Sequence, residues 1–371
     1  MESAAAITAA HGWSGRQDAH AALDEIFNGH DFHGASLGIV FASPDYDLDA
    51  LGKAVAARFP CSVVGCSTAG EICSLGYQHT GVAAAVIHGI DVRVASLDDL
   101  QSFDEQRASD LVDRLGVSEI SYDEHAVMLT LLDGLCMREE SLCNQIYLAS
   151  GGVPMVGGSS GDNLTFNNTS VLIGDRFQRG AGICALLRAQ EGIHTFIGHH
   201  YKDTGQLLVV TKADPEKRVI YELNGRPASE AYARALNFEP GALSKVEELL
   251  NPLMVKTGER FYVRGVQQLR DDGSMQLYCA IDEGVVLHVG HSSSIHERLA
   301  SQLEHACKDV DPQLVLMFDC ITRRLEADHM KSTTNFAHVV SDYPAIGFST
   351  YGEHYNGVHV NQTMTGIVFG S

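Results

Sequence analysis

Apolar and polar positions along the chain fall into a pattern that repeats. Residues 18–28, DAHAALDEIFN, place Ala21, Ala22, Ile26 and Phe27 near one helical face, with Asp18 as N-cap and Asn28-Gly29 as the stop. ASLGIVFAS (35–43) is a continuous apolar run of strand length. LDALGKAVAARFP (48–60) reads as a helix closed by Pro60, and CSVVGCSTAGE as a strand and turn. The same order recurs in AVMLTLLDG (126–134), EESLCNQIYLAS (139–150) and VPMVGGSSGDN (153–163). It recurs again in PQLVLMFDC (312–320), a helical stretch around 325–340, and YPAIGFSTYGEH (343–354). A unit of strand, helix, strand and glycine turn is thus present three times. Its turns read GCSTAGE, GGSSGD and GFSTYGE, the middle one shorter by a residue.

An internal repeat outweighs a match to any single short motif. Each turn carries glycines for tight backbone, hydroxyls, and one carboxylate straight after its last glycine. If the copies are related in space, their turns converge on one cleft. The candidate pocket residues are then Ser67, Thr68 and Glu71, Ser159 and Asp162, and Ser349, Thr350 and Glu353. The plainer reading, in which the hydroxyls only satisfy turn amides, stays open.

Between the second and third copies the pattern changes. FIGHHYKDTGQLLVVTKAD and its continuation read as two strands and a hairpin, an Asn224-Gly225 turn, and a helix from Pro227. FYVRGVQQLRDDGSMQLY reads as strands about an Asp272-Gly273 turn. The expected division is a helical lead-in over 1–29, one domain over 30–223 and a second over 224–371. The fold class is α+β, with mixed β-sheets packed together and helices outside.

Near the C-terminus, GVHVNQT alternates. Val358 and Val360 should face a core, leaving His359, Asn361 and Thr363 on the other face. Asn361 joins the candidate pocket. His354 lies in the preceding turn, and His199 and His200 point to opposite faces of one strand. These four histidines are the candidates for holding a metal, because imidazole serves metals and haem iron so often.

Charge and cysteines narrow the function. The 371 residues carry 26 basic and 47 acidic side chains, a formal charge of −21, which repels phosphate backbones and excludes nucleic acid. Nine scattered cysteines include no C-x-x-C, so a zinc ribbon, a thioredoxin-type site and covalently attached haem are not indicated. Cys66, inside the first turn, is the thiol to watch. Glu2 is acidic and no Lys or Arg precedes Arg16, so no signal peptide is expected. The apolar stretches are too short to span a bilayer, which predicts a cytoplasmic protein without membrane insertion. GGSSG fits the letters of an esterase elbow, but DNLTFNN follows it where a helix is required. No phosphate loop with its lysine occurs. The chain is therefore not expected to be an enzyme.

Taken together and in order, VVGCSTAGEI, VPMVGGSSGDN, VVTKAD…VIYELNGRPASEAY and AIGFSTYGEHYNGVHVNQTMTGIVFG resemble the FIST family of sensory domains over roughly residues 30–370. The resemblance implies two FIST halves, N-terminal and C-terminal, forming a ligand sensor. The chain carries no kinase, cyclase or receiver segment. In this it is similar to the stand-alone nitric-oxide sensing members called NosP. That likeness implies noncovalent haem b, nitric oxide as a gas ligand, and a partner histidine kinase or other signalling protein acting in biofilm and cyclic-di-GMP control. The family gives no motif that assigns the haem ligand, so His354, His359, His199 and His200 remain candidates from the residues alone. The alternative is a metal-free pocket for an amino acid or similar small metabolite, with Glu71, Asp162 and Glu353 receiving its ammonium group. Self-association into a homo-oligomer is left open.

Overall fold

The computed structural model describes residues 6–371. Three copies of one unit close into a triangular prism. In the first, strand Thr8–Ser14, helix Ala19–Ile26, strand Leu37–Ala42, helix Leu48–Arg58 and strand Ser62–Ser67 lead through a hairpin, Glu71–Cys73 with Gly76–Tyr77, to strand Val82–His88. The second repeats the order from Asp91–Leu97 to Gly182–Ala189, and the third from Ile193–Gly198 to Met364–Gly370. The third has an insertion after its first strand and an extra helix, Ile321–His329.

Each unit builds four strands of a six-stranded sheet and gives its hairpin away. Hairpin Val171–Gln178 of the second unit completes the first sheet, beside Gly65 and Cys66. Hairpin Glu353–Val360 of the third completes the second sheet, with Glu353 opposite Gly158. Hairpin Glu71–Tyr77 of the first completes the third sheet, with Glu71 opposite Phe348. The exchange is cyclic, so no unit has a complete sheet of its own.

Burial follows from this closure. The inner faces meet in one core that contains Ile39, Phe41, Leu129, Leu131, Phe318 and Phe348. The outer faces are covered by helices through Leu51 and Val55, Leu111 and Leu142, and Leu299 and Phe336. With both faces covered, the central strands read as continuous apolar runs. The helices start where the sequence marks them: Asp18 accepts from Ala21 N at 2.8 Å and Asp47 from Ala50 N at 3.0 Å.

The repeated glycine has a specific cause. The central strands of each sheet are parallel, and Gly65, Gly157 and Gly347 sit opposite Val40, Thr130 and Met317. A Cβ on any of the three would lie 1.8–2.1 Å from the neighbouring carbonyl oxygen.

Residues 201–292 form a separate layer, an eight-stranded sheet with helices Ala228–Ala235 and Lys245–Leu250. Its own core includes Val210, Leu223, Tyr232, Leu253 and Leu287. The stem closes where Ser293 N donates to His200 O at 3.1 Å.

Two expectations differ from this arrangement. The lead-in over 1–29 contains the anticipated helix, but Thr8–Ser14 is a strand, paired in register with Val82–His88. Its sequence, TAAHGWS, has no apolar alternation to reveal it. The alternation at Val358 and Val360 also does not mark the core face, since Val358 is half-buried while His359, Asn361 and Thr363 are as buried as Val360. That hairpin is covered on both faces because it is inserted into another unit's sheet. Among the described residues no helix is long and apolar enough to cross a membrane.

Candidate functional site

The three glycine turns do converge, and they hold one another by backbone hydrogen bonds. Ala69 N donates to Ser349 O at 3.1 Å, and Ser349 N to Gly70 O at 2.7 Å. Gly161 N donates to Ser67 O at 3.0 Å, and Ser159 N to Gly352 O at 2.8 Å. Ser67 Oγ donates back to Gly161 O at 2.8 Å.

Their side chains are spent on this junction. Glu71 accepts from Thr68 Oγ1 at 2.6 Å, and Glu353 is bonded to Thr350 and to Thr363 Oγ1, the latter at 2.6 Å. Burial pushes both carboxyls up to about 8, against the hydrogen bonds that lower them. Both are neutral acids near pH 7. Asp162 is ionised: burial raises its pKa, but the hydrogen bonds from Tyr351, Asn168 and Asn167 outweigh it. Its oxygens accept from Phe166 N at 2.9 Å, Asn167 N at 2.6 Å and Asn168 N at 2.7 Å. Asp162 and Glu353 are engaged through both oxygens, and Glu71, whose Oε2 is buried without a partner, lines none of the clefts described here. Ser349 Oγ is buried without a partner and opens on no cleft. Cys66 is fully buried, and burial pushes its thiol well up.

Of the residues singled out in the sequence, Asn361 alone lines an apolar cleft. This cleft, about 260 Å³, lies between the second unit, the helix Ile321–His329 and the inserted layer. Its wall includes Leu135, Leu277, Tyr278, Ile321 and Thr322. Asn361 is 1% exposed, and its Oδ1 has no hydrogen-bond partner. A buried amide left unpaired costs about 1–3 kcal/mol, so the position calls for an explanation.

The rim is unusual in two respects. Met137, Leu164, Phe166 and Leu325 are large apolar side chains left exposed. Met137, Leu164 and Phe166 also hold φ of 55°, 67° and 53°. Bulky residues avoid this left-handed region, at a cost of order 1 kcal/mol each. Asp162 imposes the strain at Leu164 and Phe166 by gathering the amides of the 163–168 loop. Tyr351 bonds both Asp162 and Leu164 N. At the inner end Arg218 Nη2 donates to Glu139 Oε2 at 2.5 Å and to Glu140 Oε2 at 2.7 Å.

Sequence reasoning missed Met137, Glu139, Leu164, Phe166 and Arg218. Arg218 is some eighty residues from its partners in the chain, so no local pattern joins them. The one available signal was DNLTFNN, a polar loop holding Leu164 and Phe166 with no helix to bury them.

The four histidines do not fit haem, which needs a free ring nitrogen beside an apolar slot. His354 is fully buried, with Nδ1 2.9 Å from Thr130 Oγ1 and Nε2 3.1 Å from Ser159 Oγ. Burial, with His359 nearby, holds its pKa down to about 3. His200 is fully buried between Glu326 Oε1 and Arg323 Nη1, each at 2.8 Å. His359 has Nδ1 3.4 Å from Glu140 and a buried, unpartnered Nε2 packed against Gly352. His199 faces a groove of about 490 Å³, but its walls carry Thr195, Arg260, Arg298, Gln302 and His305. The apolar cleft has no histidine in its lining, and the groove with histidines is not apolar.

Comparison with known proteins places residues 36–226 on the FIST N domain and 228–356 on the FIST C domain. An uncharacterized protein of Methanocaldococcus jannaschii is 22% identical over 253 residues, 58% of this chain and 49% of that protein. The chain thus spans about half the length of the curated relative it matches. Among solved structures, a cyanuric acid hydrolase from A. caulinodans aligns over 98% of this chain and 99% of its own, at 8% identity and a TM-score of 0.39. A second cyanuric acid hydrolase, described as an evolutionary innovation by structural concatenation, aligns over 98% of this chain and 100% of its own, at 9% identity and a TM-score of 0.35. The expectation that the chain is not an enzyme is corrected here: the two solved structures aligned along nearly the whole of both chains are hydrolases. At these scores the likeness assigns no reaction.

Proposed function

The chain belongs to the FIST family of sensory ligand-binding domains, and on that premise we propose that the cleft at Asn361 is its sensory site. The ligand is a small metal-free metabolite of amino-acid size. About 260 Å³ lies just below the usual range for ligand pockets, and suits a small molecule better than a porphyrin. The observation that carries the reading is the buried, unpartnered Asn361 amide oxygen in a largely apolar wall. An amide can present its oxygen or its N–H₂ to a ligand. The exposed, strained rim of Met137, Leu164 and Phe166 supports it, because strain of this kind clusters at ligand clamps. A signalling partner, such as a histidine kinase, would read the occupied state through helix Ile321–His329, which touches both the cleft and the inserted layer. Binding shifts that equilibrium only by its differential affinity for the two states.

The test is thermal unfolding of the purified chain against amino acids, amines and small organic acids, with a haem titration alongside. A true ligand raises the melting temperature with concentration, by about 2.7 kcal/mol of stability at a hundred times its Kd. Asn361→Leu and Phe166→Ala should abolish the shift. A sharp, stoichiometric haem spectrum with no response to any metabolite would overturn the reading.

A further inference from the structure

We infer that the cleft selects a small organic cation, a protonated amine carrying an apolar body about the size of one aromatic ring. This rests on the cleft being the ligand site, and it follows from which groups there are left unused. Glu139 and Arg218 are the charged residues of the lining, and Glu140 stands behind them. Glu140 is also held by His359 Nδ1 at 3.4 Å and by Ala280 N at 2.8 Å, so of the two carboxylates on the guanidinium the one turned to the cleft is Glu139. The guanidinium is committed: Nη2 serves both carboxylates, and Nη1 reaches Met137 Sδ at 3.4 Å. Glu139 is different. Its Oε2 takes the arginine, while its Oε1 has no hydrogen-bond partner among the described residues. Asn361 Oδ1 is a second acceptor in the lining, buried and without a donor.

The apolar rim adds to the same preference. Phe166 and Tyr351 stack with ring centroids 4.8 Å apart, and Tyr278 contributes a third aromatic side chain to the lining. Aromatic faces attract organic cations, more strongly where water is excluded. The field of a chain with a formal charge of −21 draws cations toward the mouth and repels anions. A ligand carboxylate would meet only an arginine already neutralised twice.

Four probes that share one phenyl ring separate charge from fit: 2-phenylethylamine, 2-phenylethanol, 3-phenylpropionate and phenylalanine. Calorimetric titration of the full chain at low ionic strength should show the amine binding at least tenfold tighter than the alcohol. The propionate should be undetectable, and added salt should weaken the amine alone. Glu139→Gln should cost the amine tenfold or more and leave the alcohol unchanged. Asn361→Asp, which adds a carboxylate without touching Arg218, should tighten the amine and serves if Glu139→Gln does not fold. Equal or tighter binding of phenylalanine or the propionate would overturn the cation inference while leaving the cleft as the sensory site. If none of the four binds, both the inference and the site assignment fall.

Discussion

Glu71 and Glu353 occupy equivalent places, and each is a carboxyl that folding makes harder to ionise. Both stand at about 8 in the folded chain against 4.5 without burial. The folded state therefore holds more protons than the unfolded one between those values. Stability from these groups is full below about pH 4.5 and is lost as pH rises through 8. The chain should lose stability from pH 5 to pH 8, each glutamate contributing on the order of 1–3 kcal/mol to the slope. Glu71→Gln with Glu353→Gln should flatten the slope and raise the melting temperature at pH 8; an unchanged slope would show that the carboxyls ionise freely. The sequence showed that these residues belong together, three hydroxyl-rich turns each ending in an acid. It did not show that the acids are protonated, because desolvation is a property of the assembled junction. Nor did it distinguish Asp162, whose neighbours Phe166, Asn167 and Asn168 turn their amides onto it, from its two equivalents.

At the scale of the element, the parallel strand pair is the unit that repeats. Its sequence mark is one glycine, at positions 65, 157 and 347, required by the carbonyl of the adjacent strand. Gly347→Ala places a Cβ 2.0 Å from Met317 O and 2.8 Å from Met317 C, backbone atoms that cannot swing aside. We expect a loss of about 2 kcal/mol or more in denaturant unfolding, beyond ordinary overpacking of a core. A neutral substitution would mean that the strands can separate. The strands and helices of the repeats were legible because both faces of the central strands are covered, which leaves long apolar runs between capped helices. The destination of the hairpins was not. GVHVNQT and SVLIGDRF look like ordinary turns and short strands, and only tertiary pairing shows that each enters a neighbouring sheet. The rim loop was hidden for a related reason: Leu164 and Phe166 are exposed, so they follow no periodicity.

At the scale of the whole molecule, the inserted layer and the prism are separable by construction. Residues 200 and 293 are hydrogen-bonded at the stem, and each part has its own core. Replacing residues 201–292 with a short glycine linker should leave a chain that melts cooperatively with near-native circular dichroism. That chain should fail to bind any cleft ligand, since Arg218, Leu277 and Tyr278 are gone. Loss of cooperative melting would show instead that the layer is integral to the prism. The same division makes the layer the natural mover on binding, because its buried link to helix Ile321–His329 runs through Glu326, which accepts from Tyr201 Oη at 2.8 Å and from Ser292 Oγ.

The cyclic exchange of hairpins also governs when the protein can become itself. Glu71 and Ile72 are paired with Phe348 and Gly347, residues made some 275 positions later in the chain. As the chain leaves the ribosome, its first unit holds out an orphan hairpin and waits for the second unit's hairpin to complete its sheet. The ring cannot lock until the last strand has emerged. Contacts so distant along the chain slow folding and leave apolar edges open meanwhile. The first unit therefore keeps an open sheet edge until the later units have folded against it, and a chain cut short of Met364–Gly370 has no closed state to reach.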